Sequence, residues 1–180
     1  MFTCIPCRKS KSAVDLIRAY GMYDGSLREA IHALKFRRKK VLARPLGNLM
    51  AGVSTMWPSV FDAQAVVPVP LHPRRLRERG FNQAHLLAEV VAACLGIPLL
   101  SSVLWRTRAT PAQAGLVREA RLVNVQGAFA SDPEMVEGSS ILLVDDVLTT
   151  GATVEACASA LKSAGAKKVT VLVLARSLLE

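Results

Sequence analysis

The spacing of apolar residues changes repeatedly along this chain, and the changes predict alternating strands and helices. Continuous apolar runs at Ala65–Pro70, Ile141–Val144 and Val169–Ala175 are typical of strands buried on both faces of a parallel sheet. Apolar residues at every third or fourth position predict helices over Phe81–Leu95 and Val154–Ala164. We therefore predict an α/β fold in which helices flank a parallel sheet.

A basic run follows a further predicted helix near the start of the chain. Ser26 and Glu29 have the spacing of a capping box that opens this helix. Two interpretations of the run at its end stay open: a solvated helix end whose charges suit the helix dipole, or a phosphate-contacting patch for nucleic acid with Phe36 available for base stacking. A second amphipathic helix is predicted after the run. The nucleic-acid patch would consist of Lys35, Arg37, Arg38, Lys39 and Lys40.

The stretch from Ile141 to Thr153 carries the strongest chemical signal. Asp145 and Asp146 follow a buried strand, and a short Thr/Gly loop then leads into a helix. In open α/β sheets such turns lie where ligands bind, and N–H groups at a helix N-terminus suit a phosphate. Adjacent carboxylates repel each other unless a ligand donates hydrogen bonds or brings a cation, which a ribose with a nearby divalent metal would do. The alternative is an ordinary strand-to-helix turn with a capping aspartate.

A second anion-binding segment is predicted after Ala65–Pro70. Prolines fix the backbone there, so the segment is expected to be a shaped loop. It brings four arginines within six residues, and their planar guanidinium groups match a diphosphate. A solvated basic loop is the alternative, and a solvated position is favoured for His72. The four residues are Arg74, Arg75, Arg77 and Arg79.

A polar stretch from Trp105 to Asn124, punctuated by proline and glycine, predicts a functional loop or lid. Closure of such a lid would exclude water from a reactive sugar cation. Gly127–Ala130 is predicted as an edge strand that follows it, and Asp132 marks a turn.

Composition narrows the class of protein. A chain of 180 residues with 51% hydrophobic content fits one domain with a sizeable core. The net charge of +9 is concentrated in the first 50 residues, which hold 11 basic and 3 acidic side chains and offer positive potential to polyanions. We find no signal-peptide pattern and no run long and apolar enough to span a membrane, so we expect a cytoplasmic protein with reduced thiols.

The cysteines predict no complete metal site. Cys4 and Cys7 form a C-x2-C knuckle, which is half of a structural zinc set. Cys94 and Cys157 lie on apolar faces of predicted helices, where a buried thiol is expected. We therefore do not expect this chain alone to bind zinc.

The segment VDDVLTTGAT resembles the 5-phosphoribosyl-1-diphosphate (PRPP) binding motif of type I phosphoribosyltransferases. Together with ALKFRRKKVLARPLG, VPVPLHPRRLRERGFNQA and TPAQAGLVREARLVNVQGAF, it resembles the ComF family of competence-associated proteins. The resemblance implies a type I phosphoribosyltransferase fold with a small hood over residues 19–180. Residues 1–18, with the partial knuckle, would be the remnant of an N-terminal zinc module.

The resemblance also implies roles for single residues and a cofactor, Mg²⁺ bound with PRPP. Asp145 and Asp146 would hold the ribose hydroxyls as the catalytic pair. The 5′-phosphate would be bound by Leu148, Thr149, Thr150, Gly151, Ala152 and Thr153. The diphosphate would be bound by Pro70, Leu71, His72, Arg74 and Arg75.

The resemblance, taken with these features, implies one of two functions. In the first, the chain binds Mg-PRPP, supports the handling of incoming single-stranded DNA during natural transformation, and transfers the phosphoribosyl group to an acceptor that the sequence does not name. In the second, a non-catalytic protein reuses the fold to sense PRPP or a nucleotide, or to bind nucleic acid.

Overall fold

A parallel sheet forms the centre of this computed structural model, which describes residues 12–56, 58, 62–107 and 127–177. Its strands follow the order β1-β6-β5-β2, and each neighbouring pair is parallel, so the predicted α/β architecture with a parallel sheet is confirmed. The described elements in chain order are β1 (Leu16–Met22), α1 (Gly25–Phe36), a 3-10 turn (Lys40–Leu42), α2 (Ala43–Met56), β2 (Ala65–Pro68), α3 (Pro73–Arg79), α4 (Gln83–Leu95), β3 (Leu104–Arg106), β4 (Phe129–Ser131), α5 (Pro133–Val136), β5 (Ser140–Leu148), α6 (Ala152–Ser163) and β6 (Lys168–Arg176).

Two apolar layers cover the sheet, one on each face. Helices α1, α2 and α4 pack on one face, where they meet Leu142, Val144 and Leu172. Helix α6 and the pair β3–β4 cover the other face, where they meet Leu143 and Val171. Because successive side chains of a strand point to opposite faces, the continuous apolar runs of β5 and β6 supply both layers, as the sequence predicts.

Local capping explains where the helices begin and corrects one prediction. Helix α1 begins after Asp24, whose carboxylate accepts a hydrogen bond from the N–H of Gly25 at 2.7 Å, so Ser26 lies inside the helix and the predicted capping box is wrong. Asn82 caps α4 as predicted, and Gly96 ends this helix with a positive φ of 66°. Asp132 caps the short helix α5, where the sequence predicted only a turn.

The segment predicted as an arginine-rich loop is a helix. His72 caps α3 through Nδ1, which accepts a hydrogen bond from the N–H of Arg74 at 3.2 Å, and Gly80 ends the helix in the left-handed conformation. The prolines that suggested a shaped loop also permit this arrangement, because proline suits the first turn of a helix. Helical geometry therefore decides which arginines share a face.

Several predictions concern residues beyond the described part. Cys4 and Cys7 lie outside it, as do residues 108–126, so the zinc, lid and hood predictions stay predictions. Trp105, which the sequence places at the start of the lid, lies in β3, and β3 pairs antiparallel with β4. Cys157 is buried as expected, whereas Cys94 is exposed and corrects that prediction.

Two further observations bear on domain limits and membranes. β1 begins at Leu16, so the sheet starts ahead of the predicted domain boundary at residue 19. Within the described ranges, every helix is too short or too polar to cross a membrane.

Candidate phosphate site at the end of strand β5

Strand β5 extends through the acidic pair and separates the two carboxylates. The strand continues to Leu148 because β6 stays paired with it as far as Arg176, so the acids lie within the strand and not in the loop. Adjacent strand residues point to opposite faces of a sheet. Asp145 and Asp146 therefore have different surroundings, which corrects the expectation that both stand side by side at the phosphate loop.

Asp145 faces the loop that follows β5. It lines a small open notch of about 20 Å³ together with Leu148, Thr149 and the first turn of α6. The Oδ1 atom of Asp145 accepts a hydrogen bond from the N–H of Asp146 at 2.8 Å. Burial and, next, the charge of Asp146 raise the pKa of Asp145 to about 7, against the lowering effect of Lys35. Asp145 is therefore a carboxyl group that exchanges a proton close to neutral pH.

Asp146 faces the opposite layer and forms an ion pair with Lys35. The Nζ atom of Lys35 lies 2.8 Å from Oδ2 of Asp146, and the two side chains are only 17% and 5% exposed. Lys35 belongs to the last turn of α1, so this contact fastens α1 to the end of β5. Lys35 therefore lies in the candidate site and not in the exposed basic patch to which the sequence assigned it.

The loop from Thr149 to Gly151 has the features of an anion cradle. Gly151 has a φ of 83°, and a side chain there would have open space around it, with only Leu148 at 4.0 Å. Among the described residues, the N–H groups of Thr149, Thr150 and Gly151 have no hydrogen-bond acceptor. The Oγ1 of Thr150 accepts the N–H of Ala152 at 3.4 Å. Free donors at the start of a helix favour an anionic ligand.

The remaining residues assigned to the 5′-phosphate contribute in different ways. Leu148 and Ala152 are buried, and both residues line the notch. Ala152 is the first residue of α6, two residues earlier than the helix start predicted from the sequence. Thr153 is partly buried and also lines the notch. The loop is therefore short, and the helix N-terminus comes close to Asp145.

The residues assigned to a diphosphate lie in two environments. Pro70 and Leu71 line a largely apolar cavity of about 410 Å³ between the end of β2, α3 and α4. Arg74 is exposed and pairs with Glu78 one turn along α3, with its Nε 2.9 Å from Oε1. Arg75 lies on the same helix face as Arg79, at a spacing of four residues.

Arg79 belongs to the predicted arginine cluster but not to the residues assigned to the diphosphate, and it lies close enough to the acidic pair to interact with the charge of Asp146. Its guanidinium group lies 5.5 Å from the ring centroid of Phe36 and also contacts Gln83. Burial lowers the pKa of Arg79, and the charge of Asp146 opposes this shift. A helical interpretation of residues 73–79 would have placed Arg75 and Arg79 together and set Arg74 apart with Glu78.

A surface that we call the basic junction is formed by four exposed residues, Arg37, Arg38, Lys39 and Lys40. It connects α1 to α2 and packs against the region of α3 and α4. Nη2 of Arg38 donates to the carbonyl of Glu78 at 3.0 Å, and Nζ of Lys40 lies 5.1 Å from the ring centroid of Phe81. Phe36, which precedes the junction, is 65% exposed.

This set of groups fits a phosphorylated sugar with its metal ion. The free N–H donors suit a phosphate, and a carboxylate beside them accepts hydrogen bonds from hydroxyl groups. Carboxylate oxygens are also hard ligands that suit a hydrated Mg²⁺ ion. The candidate site therefore combines an anion cradle, one facing carboxylate and nearby guanidinium groups.

Comparisons with known proteins connect this geometry to a family. The phosphoribosyl transferase domain family matches residues 83–178, a range that includes the acidic pair and the loop. The chain is 31% identical to Competence protein F of Haemophilus influenzae, over 97% of this chain and 78% of that protein. It is 38% identical to the DNA utilization protein YhgH of Salmonella typhi, over 87% of this chain and 70% of that protein.

A solved structure described as the allosteric regulatory enzyme of purine biosynthesis is similar at 24% identity, with a TM-score of 0.49. The match covers 73% of this chain and 26% of that one, so the chain spans about a quarter of its length.

Proposed function

Because this chain belongs to the phosphoribosyl transferase domain family and is a relative of Competence protein F and YhgH, we propose that it binds PRPP with Mg²⁺ at the end of β5. One observation carries the proposal. Thr149 and Gly151, whose N–H groups are free, line the same notch as Asp145, at the positions that the motif assigns to the 5′-phosphate and the ribose. A cradle for phosphate next to an acceptor for hydroxyl groups matches the two ends of a ribose 5-phosphate.

Each group has a defined task in this proposal. The N–H groups of the loop bind the 5′-phosphate, and Asp145 accepts a hydrogen bond from a ribose hydroxyl. Mg²⁺ would neutralise part of the diphosphate charge. The segment Pro70–Arg75 binds the diphosphate, with support from Arg79, whose charge interacts with that of Asp146.

Phosphoribosyl transfer is the reaction that this arrangement would serve. The bond between the anomeric carbon and the diphosphate oxygen breaks, the diphosphate leaves with the bonding electrons, and an acceptor nucleophile attacks the carbon. Arginines near the diphosphate would stabilise its developing charge. The alternative is a sensor that binds PRPP without transfer, and release of diphosphate with and without candidate acceptors would separate the two.

Isothermal titration with Mg-PRPP tests the binding proposal. We expect the double substitution Asp145→Ala and Asp146→Ala to weaken binding by at least about tenfold, since hydrogen bonds to charged groups contribute about 1.5–3 kcal/mol each. Asp62→Ala is the matched control, because Asp62 is an exposed carboxylate that pairs with Lys168 at 3.1 Å on another part of the surface. Equal affinity of the double variant and the wild type would refute the assignment.

A second activity, binding of single-stranded DNA, is favoured by the basic junction. Four exposed cationic side chains follow a 65% exposed phenylalanine, which is the combination of phosphate contacts and a stacking ring that single strands require. The relative named for DNA utilization is consistent with a role in DNA uptake. We propose that the junction holds the strand while the β5 site binds PRPP.

Salt dependence tests the junction. Replacement of Arg37, Arg38, Lys39 and Lys40 by alanine should weaken binding of an oligothymidylate and flatten the plot of log affinity against log salt. Each phosphate contact contributes a slope of about −0.7 on single strands, so the slope should fall by up to about 3. An unchanged slope would show that the strand contacts another surface.

A further inference from the structure

The ammonium group of Lys35 forms an ion pair with the carboxylate of Asp146. Nζ and Oδ2 are 2.8 Å apart, and Asp146 is 4% exposed. Arg79 is a second cationic group whose charge interacts with this carboxylate, and its guanidinium also contacts Gln83. In the free protein, Asp146 therefore has a cationic partner of its own within the chain.

The position of this pair conflicts with the proposed role of the acidic motif. The motif assigns both carboxylates to the ribose, yet only Asp145 lines the notch beside the loop. Asp146 points to the face covered by α1, where Lys35 holds it. A ribose hydroxyl, or a water molecule of a hydrated metal ion, reaches Oδ2 of Asp146 only after the Lys35 ammonium has moved away.

We propose that Lys35 is an affinity-determining residue of the sugar-phosphate site, an internal cation that competes with the Mg-bound ligand for Asp146. The inference rests on the proposed function, because it concerns the same ligand. In the free protein Lys35 pairs with Asp146, and loading of the site exchanges this pair for contacts with the ligand. Lys35 thereby sets how tightly PRPP binds.

The exchange has a consequence that distinguishes it from a purely structural role. Removal of the ammonium destabilises the free protein, because Asp146 is left buried without its partner. The ligand-bound state does not contain the ion pair, so the substitution lowers its stability less than it lowers the stability of the free protein. The difference appears as tighter ligand binding, whereas a residue that only supports the fold would weaken binding when it is removed.

Titration calorimetry and thermal unfolding of Lys35→Met test the proposal, each measured beside the wild type in the same buffer. We expect Mg-PRPP to bind roughly tenfold more tightly, within the range of typical coupling effects. The free variant should unfold at a lower temperature than the wild type, and its stabilisation by the ligand should be larger. Lys35→Arg retains the charge and should bind within about twofold of the wild type.

Lys162→Met is the matched control, because Lys162 also lies 2.8 Å from an aspartate, Asp15, and belongs to the last turn of α6, at the opposite end of this helix from the phosphate loop. It should leave the affinity unchanged. In an Asp146→Asn background, Lys35→Met should bring no further tightening, because the carboxylate for which the two cations compete is absent. This double-mutant cycle remains informative if Lys35→Met alone folds poorly.

The outcomes separate the two proposals. Unchanged or weaker binding by Lys35→Met, in a protein whose wild type binds Mg-PRPP, would overturn the exchange and leave the proposed function intact. Tightening that persists in the Asp146→Asn background would also overturn it, because the effect would not pass through Asp146. A wild type that does not bind Mg-PRPP would overturn both.

Discussion

Asp145→Asn is expected to stabilise the folded protein while it weakens the proposed binding of Mg-PRPP. Burial and, next, the charge of Asp146 raise the pKa of Asp145 to about 7, from an ordinary value of 3.8. Ionisation of this carboxyl group therefore costs folding free energy. Asparagine has nearly the same shape, can still accept the hydrogen bond from the N–H of Asp146, and carries no charge to bury.

The magnitude follows from the shift in pKa. A change of about 3 pKa units corresponds to roughly 4 kcal/mol, at 1.36 kcal/mol for each unit. This figure is an upper limit, because Asp145 is only partly buried and solvent screens part of the effect. For a chain of this size, a gain of this order would raise the melting temperature by up to about 16 °C, at about 2–4 °C for each kcal/mol.

The sign of the pH dependence is fixed by which state holds the proton. Between about pH 4 and pH 7 the folded wild type keeps Asp145 protonated while the unfolded chain has lost that proton, so the free energy of unfolding falls as the pH rises. Below this interval the wild type and Asp145→Asn should be equally stable. Above it the variant should show its full advantage.

Urea unfolding at several pH values measures this difference. Asp15→Asn is a control for which the effect on stability should depend on pH with the opposite sign. Burial alone would raise the pKa of Asp15, but hydrogen bonds from Lys162 and from the N–H of Val169 outweigh it and lower the pKa. As the pH rises and Asp15 ionises in the wild type, Asp15→Asn should therefore become less stable than the wild type. A difference between the wild type and Asp145→Asn that does not change with pH would refute the reasoning.

Four further substitutions test the packing and backbone geometry, each by chemical unfolding. Gly47→Ala would place a Cβ atom 2.5 Å from Cβ of Val90 in α4, and it should lower the free energy of unfolding by about 1–3 kcal/mol. A Cβ atom at Gly52 would meet nothing within 4 Å, so Gly52→Ala should stabilise α2 by up to about 1 kcal/mol. Equal effects of the two substitutions would contradict the close packing of α2 on α4. Gly151→Ala should cost about 1 kcal/mol, because its φ is 83°, and a neutral result would show that the loop has another conformation. Asp24→Ala should lower the free energy of unfolding by about 1 kcal/mol, because it removes the N-terminal cap of α1. An unchanged free energy of unfolding would show that another residue caps this helix.

The strands and helices that carry uniform patterns were predictable from the sequence. The buried runs of β5 and β6 are apolar on both faces because helices cover both sides of the sheet. Asn82 and Gly96 bracket α4 because each satisfies a specific backbone requirement at a helix end. β1 gave a weaker signal, since its residues are mostly only partly buried at the edge of the sheet.

Contacts between distant parts of the chain were not predictable in the same way. Lys35 belongs to a run of basic residues, and nothing in its sequence neighbourhood separates it from Arg37 or Arg38. Its position differs because the last turn of α1 points Lys35 toward the sheet, while the chain leaves the helix at Phe36 and exposes the residues that follow. Only the packing of α1 on β5 shows that one member of the run is buried beside a carboxylate.

The acidic pair illustrates why local structure changes the chemistry that a motif implies. In a loop, two adjacent carboxylates could turn toward one ligand together. In a strand, their side chains must point to opposite faces, so each needs its own partner. Asp145 has the notch beside the Thr/Gly loop, and Asp146 has Lys35. The extension of β5 to Leu148 thus gives the two aspartates unequal surroundings: Asp145 lines the notch beside the loop, and Asp146 would meet a ligand only through the proposed opening of its ion pair with Lys35.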